Sequence, residues 1–462
     1  MRRFLFFLSA LCYALGFLLP SPQETPGLYP VLGIFVGTLL LWLFVAIDWP
    51  SILALCMLSL VPTLSTKDVL AASFGSPTFA FLLFAFLCTY TLSKTPLLRR
   101  IALLFLKSSL AEKGSLGLAV SFFAAVLFLG LFLSPTVLFL LFLPMAEEIV
   151  TLLGHKKGDA YPSALLCGLV FVTGISSGMT PFSHVFPVMA LDFYAQTTGE
   201  TIGVGHFLAY ALPLGLLTIL LMMVLLLPAL RRGHEVKSLS FETLPPMERR
   251  EVLGLLVYLL VLLLWVVPDL FPSLPFAAFL KARGSAFPPL LGTVLLCILS
   301  VEGRPLLSIS EGLAKGVPWS ALSMALGTLA LGSALTQKGV GLTDAISALF
   351  SQILTGHHAL LVLFLILLWT MVQTNLSSNI VTVSVVSALA IPLALSMKTL
   401  DASLVAIFVG AISSYAFAFP PAMPCVALAI SSEWTNGGSI AIRGLILGLG
   451  SVFIALLLTV IL

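Results

Sequence analysis

Apolar runs of about twenty residues recur from one end of the chain to the other, each closed by a short polar or proline-containing turn. A run of that length crosses the hydrocarbon core of a bilayer as a helix. The pattern therefore predicts an all-α polytopic membrane protein. Candidate spans fall at about 4–19, 29–47, 51–65, 77–93, 162–180, 206–228, 251–268, 285–301, 318–336, 403–419 and 440–461. Membrane β-barrel strands alternate apolar and polar positions with period two, and these runs do not. Two further apolar stretches are longer and interrupted. Residues 115–152 break at Ser134-Pro135-Thr136, and residues 359–398 break at Thr374-Asn375-Leu376-Ser377-Ser378-Asn379. Each is long enough to enter a membrane and return, which predicts two re-entrant hairpins. Polar, non-helical backbone at membrane depth is tolerated only where protein or a water-filled cavity satisfies it.

Composition sharpens this picture. Of 462 residues, 60% are hydrophobic and only 9% are charged, against about 25% charged in soluble domains. Mean hydropathy is +1.15. Net charge is only +3 and the basic residues are scattered, which excludes a nucleic-acid partner; the lipid bilayer is the expected surrounding. Cys12, Cys56, Cys88, Cys167, Cys297 and Cys425 all lie in apolar stretches without a CxxC pair, so they read as packing residues. No HxxxH or HExxH pair exists, and neither a metal centre nor a cofactor is expected. A membrane enzyme would need an intramembrane nucleophile with its base, and none is seen.

Lysine and arginine set the orientation. Arg2 and Arg3 precede the first apolar run and anchor it as a transmembrane helix. With a cytoplasmic N-terminus and both hairpins re-entrant, 17 of the 22 basic residues fall inside. These include Lys94, Arg99, Arg100, Lys156, Lys157, Arg231, Arg232, Arg249, Arg250, Arg304 and Lys315; Lys67, Lys281, Arg283, Lys338 and Lys398 fall outside. The expected topology is eleven spans plus two hairpins in a plasma membrane, with the C-terminus outside. The charged loop at 231–251 separates residues 1–230 from residues 252–462.

The two halves share landmarks. Gly75-Ser76-Pro77 and Gly316-Val317-Pro318 each open a helix 241 residues apart. The breaks at Ser134 and Ser378 are 244 apart, and Ile175-Ser176-Ser177 recurs as Ile412-Ser413-Ser414 at 237. The matching helices are the fourth and ninth spans, so the copies enter the membrane from opposite sides. An inverted-topology repeat is the mark of a secondary transporter, with substrate held at the midplane between discontinuous helices.

Each half then offers a hairpin tip and a broken helix. The first has Ser134 and Thr136 at its tip and Thr173-Gly174-Ile175-Ser176-Ser177-Gly178-Met179-Thr180-Pro181 in its break. The second has Thr374, Asn375, Ser377, Ser378, Asn379 and Thr382 at and beside its tip and Ser413-Ser414 through Pro424 in its break. Helix N-termini there favour anions, and hydroxyls with unwound carbonyls suit small cations. A buried amide such as Asn379 must be satisfied by something. His184 follows the first break as a further candidate. Glu147, Glu148, Asp192, Asp269, Asp344 and Asp401 fall near segment ends, whereas proton-coupled antiporters carry an intramembrane carboxylate. This favours a small anionic substrate over the alternative, a cation/proton antiporter or exporter.

At these residues the chain resembles the divalent anion/sodium symporter (DASS) family of the ion-transporter superfamily. Members carry Ser-Asn-Thr at each hairpin tip; here the tips read Ser134-Pro135-Thr136 and Ser378-Asn379-Ile380. The family's first break ends near Thr-Pro-Pro-Asn, here Thr180-Pro181-Phe182-Ser183. Its second resembles Ala-Phe-x-x-Pro-x-Ala-Thr-Pro-Pro-Asn, here Ala416-Phe417-Ala418-Phe419-Pro420-Pro421-Ala422-Met423-Pro424-Cys425-Val426. The resemblance covers nearly the whole chain. It implies an elevator-type homodimer that moves di- or tricarboxylates, or sulfate, with sodium as the coupling ion. It implies substrate contacts at Ser134, Thr136, Thr180, Pro181, Ser378, Asn379 and Pro424. It implies ion contacts at Ser134, Gly174, Ser176, Ser177, Thr374, Ser377, Ser378, Asn379, Ser413, Ser414 and the Ala422 carbonyl. Pro135, Ile380, Met423 and Val426 stand where the family has polar residues. Apolar side chains cannot ligate sodium, which leaves the coupling ion and the substrate's charge open.

Overall fold

A computed structural model describes residues 2–46, 48–181, 183–234, 244, 246–271, 273–337, 339–341, 358–397, 399–420 and 422–462. Most of the charged loop, Lys338, Asp344, Lys398, Phe182 and Pro421 lie outside the described residues.

The described chain is helical apart from a two-residue antiparallel ladder, β1 (Ser300–Val301) with β2 (Arg304–Pro305). The first group is α1 (Arg2–Leu18), α2 (Leu28–Phe44), α3 (Trp49–Leu58), α4 (Thr66–Ala72), α5 (Pro77–Ser93) and amphipathic α6 (Leu97–Leu106). Next come α7 (Ser115–Gly130) and α8 (Pro135–Leu152), then α9 (Ala160–Met179), α10 (Val185–Thr198) and α11 (Val204–Leu230). The second half holds α12 (Arg249–Leu270), α13 (Pro275–Arg283), α14 (Phe287–Ile298), the short α15 (Ile309–Glu311) and α16 (Trp319–Thr336). It ends with α17 (Ala359–Leu376), α18 (Asn379–Met397), α19 (Ala402–Ile412), α20 (Pro424–Ser431) and α21 (Gly437–Ile461).

Seven described helices are long and apolar enough to cross a bilayer: α8, α9, α11, α12, α17, α18 and α21. The number rises to nine if two bent pairs count as single spans, α4 with α5 at 44° and α15 onward with α16 at 82°. Three expected spans are shorter than the hydropathy suggested. The one at 51–65 stops at Leu58 ahead of Pro62, the one at 285–301 stops at Ile298 before the β-turn, and the one at 403–419 stops at Ile412. Proline removes a backbone donor and disfavours helix before it. The last shortening has another cause, taken up below.

Two helices form the centre. Buried residues fill 94% of the α9 span, against 33% for α11, and α19 is buried from Ala402 to Ile412, apart from Ser403. They meet through small residues. A Cβ on Gly178 would stand 2.5 Å from the Ala411 carbonyl oxygen, so only glycine allows this approach. The remaining helices pack around the pair in a reciprocal way. Helix α10 lies against α18 and α19, while α20 lies against α8 and α9. Thus the helix after each break rests on the hairpin of the other half.

Candidate functional site

Four chain interruptions converge on this centre, and three have one local cause. Ser134, Thr180 and Met423 each precede a proline or open onto one, and their backbones are extended (φ/ψ −63/146°, −136/149° and −143/124°). Steric conflict with the proline ring drives the preceding residue out of helical conformation. Pro135 and Pro424 then start α8 and α20, where a missing N–H costs nothing. The fourth interruption, at Ser377 and Ser378, has no proline. Ser377 is extended while its amide and hydroxyl both return to the Gln373 carbonyl, at 2.8 and 2.9 Å.

In the first half the tip is tied to the break. The Thr180 hydroxyl donates to the Leu131 carbonyl at 2.6 Å, and the Ser183 hydroxyl donates back to the Ser177 carbonyl at 3.3 Å. A Cβ on Gly130 would meet the Ser176 side chain at 2.1 Å, so tip and α9 are in backbone-close contact. The Ser176 and Ser177 hydroxyls donate within their own helix, to Thr173 and Gly174 carbonyls at 3.2 and 2.8 Å.

In the second half the order of parts is the same. The Thr374 hydroxyl donates to the Ser413 carbonyl at 2.6 Å. The Asn375 amide donates to the Tyr415 carbonyl at 3.0 Å and accepts from the Ala418 N–H at 2.8 Å. These bonds replace the helical ladder that α19 abandons at Ser413. They explain how a stretch apolar enough to read as a span runs unwound while buried.

The halves join at Gly174. A Cβ there would lie 2.9 Å from the Phe417 ring and 3.0 Å from the Ser414 carbonyl oxygen. The Phe171 and Phe417 rings meet edge to face at 5.3 Å. Beside this junction the buried hydroxyls of Thr173, Ser413 and Ser414 lack a partner, and at the second tip so does the amide oxygen of Asn379. Orphaned buried oxygens call for an explanation such as a bound ion or water. The set is neutral and rich in hydroxyls and carbonyls, which fits a hard monovalent cation and not a soft metal.

The expected site residues divide by location. Gly174, Ser176, Ser177, Thr180, Pro181, Thr374, Asn379, Ser413, Ser414 and Ala422 are buried at the junction or its two breaks. Ser134, Ser377 and Ser378 are half-buried at the tips. Thr136 and Pro424 are exposed, each in the first turn of its helix. Asp192 is not at a segment end. It lies inside α10, where its carboxylate accepts from the Thr78 hydroxyl of α5 at 2.7 Å and from the Gln196 amide. The sequence hides this because α10 begins only after the break. His184 sits at the start of α10 with Nδ1 buried and unpaired.

An all-helical membrane protein with paired hairpins and broken central helices has the frame of a membrane transport protein. Comparison with known proteins gives its family. Residues 37–412 match the family model described as citrate transporter (CitMHS), and the chain belongs to that family. A curated relative is the sodium-dependent dicarboxylate transporter SdcS of Staphylococcus saprophyticus, 21% identical over 381 residues, 77% of this chain and 72% of the relative. Among solved structures, the YdaH transporter of Alcanivorax borkumensis superposes with a TM-score of 0.56 at 16% identity, over 99% of this chain and 95% of that one. That likeness speaks for the fold alone. The family match and the curated relative together support a family of the divalent anion/sodium symporter type and a multi-pass transport protein, not an enzyme.

Proposed function

We propose that the chain is a secondary active transporter of small anions, of the di- or tricarboxylate class (succinate, malate or citrate) or sulfate, driven by a sodium gradient. The reading draws on the family's citrate transporters and on the sodium-dependent dicarboxylate relative. The observation that carries it is the pairing of each hairpin tip with its own break, through Thr180 to Leu131 and Thr374 to Ser413. The unpaired hydroxyls of Thr173, Ser413 and Ser414 flank the Gly174–Ser414 approach, where the halves touch. Half-helix N-termini at α8, α10, α18 and α20 would face the anion, and hydroxyls with unwound carbonyls would hold sodium. Ile380, Met423 and Val426 are buried and apolar, so their positions contribute only backbone atoms.

In this reading the two halves are inverted repeats, and the hairpins with α9, α10 and α17 to α20 form a core. The core moves as an elevator against a scaffold built on the other helices, within a homodimer. The N-terminus is cytoplasmic and the C-terminus external, in a plasma membrane. A second reading, proton-coupled antiport or export, is favoured by one observation: the Asp192 carboxylate bridges α10 and α5 through neutral partners. Uptake of labelled succinate, malate, citrate and sulfate into proteoliposomes, under separate sodium and proton gradients, decides between them. Sodium-stimulated anion uptake supports the first reading. Proton-driven flux without any anion requirement supports the second.

A further inference from the structure

Between α5 and the first break lies a narrow cleft. It is lined by Phe81, Ala85 and Thr89 of α5, by Ser134 of the hairpin tip, and by Ser183 and His184 of the break. Its free volume is about 10 Å³, room for roughly one water molecule. The walls are apolar except for the Thr89 and serine hydroxyls and the imidazole. The His184 ring rests on Phe186, centroids 3.9 Å apart, and its Nδ1 is buried without a hydrogen-bond partner. Ser134 makes no capping bond to α8, so its hydroxyl is not engaged by that helix.

We infer that His184 is a substrate-contacting residue, which donates a hydrogen bond to a carboxylate or other oxyanion of the transported anion once α5 moves away from the tip. This rests on the anion-transport reading above. The chemistry follows from the surroundings. An unpaired imidazole in an apolar cleft stays neutral, whereas an anion at contact distance favours its protonated form. Few other groups compete for that role. Helices α16, α18 and α19, packed on α10, carry no titratable side chain. Helix α5 carries Cys88 and Tyr90, neither of which lines the cleft; Tyr90 donates instead to Glu311 at 3.1 Å. On α10 itself the titratable side chains are Asp192, two turns further on and engaged by Thr78, and Tyr194, beyond it.

The test measures uptake of labelled succinate or citrate, whichever wild-type proteoliposomes accept, by wild-type protein and by His184→Gln. The lost charge-assisted bond raises KM about ten- to a hundred-fold with a smaller change in kcat. Wild-type KM for succinate falls as pH drops from about 8 to about 6.5, and the variant loses that slope. In a second measurement that needs no variant, diethylpyrocarbonate modification of wild-type His184, read by mass spectrometry, slows when the anion is present. Unchanged KM, unchanged pH slope and unprotected modification would overturn the assignment while leaving anion transport standing. Wild-type protein that takes up no anion would instead overturn the transport reading.

Discussion

The Asn375 side chain grips the unwound segment at Ala418 from the hairpin of the same half, accepting its N–H at 2.8 Å while donating to the Tyr415 carbonyl three residues earlier at 3.0 Å. One amide thus stands in for two rungs of the helix that α19 does not complete. Replacing Asn375 with Ala leaves the Ala418 N–H buried and unpaired, at about 1–3 kcal/mol, and leaves the Tyr415 carbonyl with the Phe417 N–H as its remaining donor, at 3.0 Å. Thermal unfolding in detergent should shift down clearly for Asn375→Ala, and transport should fall with it. A variant as stable as wild type would show that water or another group satisfies those atoms.

Asn379 should behave in the opposite way. Its amide oxygen is buried without a partner, so truncation removes an unsatisfied group. Asn379→Ala should keep wild-type stability to within about 1 kcal/mol. A large drop in melting temperature would place Asn379 in the structural framework instead of the binding site.

Gly174 is where the halves touch. A methyl group there would press on the Phe417 ring at 2.9 Å and on the Ser414 carbonyl at 3.0 Å. Overpacking of this kind costs about 1–3 kcal/mol. Gly174→Ala should lower both stability and transport rate, whereas Gly154→Ala, whose added Cβ meets nothing within 4 Å, should disturb only its local turn at φ +71°.

At the end of the first hairpin, outside the spans, His155 stacks on His234 at 4.1 Å and on Tyr161 at 5.0 Å. Burial holds the His155 pKa below the ordinary 6.5, against the opposing pull of Asp159 at 3.2 Å. Because the folded-state pKa is depressed, the contribution to stability is complete above the ordinary histidine value and is lost as pH falls from there through the lower folded-state value. Amide exchange around His234 should therefore accelerate on acidification from about pH 7.5 to about pH 5.5. Exchange that is indifferent to pH, beyond its intrinsic chemistry, would contradict this.

Much of the architecture was legible in the sequence, because hydropathy and proline act locally. The apolar runs mark the helices, and the prolines at 135, 181 and 424 mark three of the four interruptions through the conformation they impose on the residue before them. What was not legible depends on distant contacts. Asn375 stands in the polar run of the second tip, but the atoms it binds lie 40 and 43 residues away, so no local pattern reveals its partners. Asp192 reads as an end residue until the break at Thr180 displaces the start of α10. The exposure of Thr136 and Pro424 is likewise set by how α8 and α20 pack, which their motif positions do not encode.

The central claim is that tips and breaks from both halves form one sodium-dependent anion site. The most direct test is uptake of labelled succinate and citrate into proteoliposomes, with and without an inward sodium gradient, for wild type beside Asn379→Ala. The expected result is sodium-stimulated uptake by wild type and none by the folded variant. Equal uptake by both proteins, or uptake by wild type that ignores sodium, would contradict the claim.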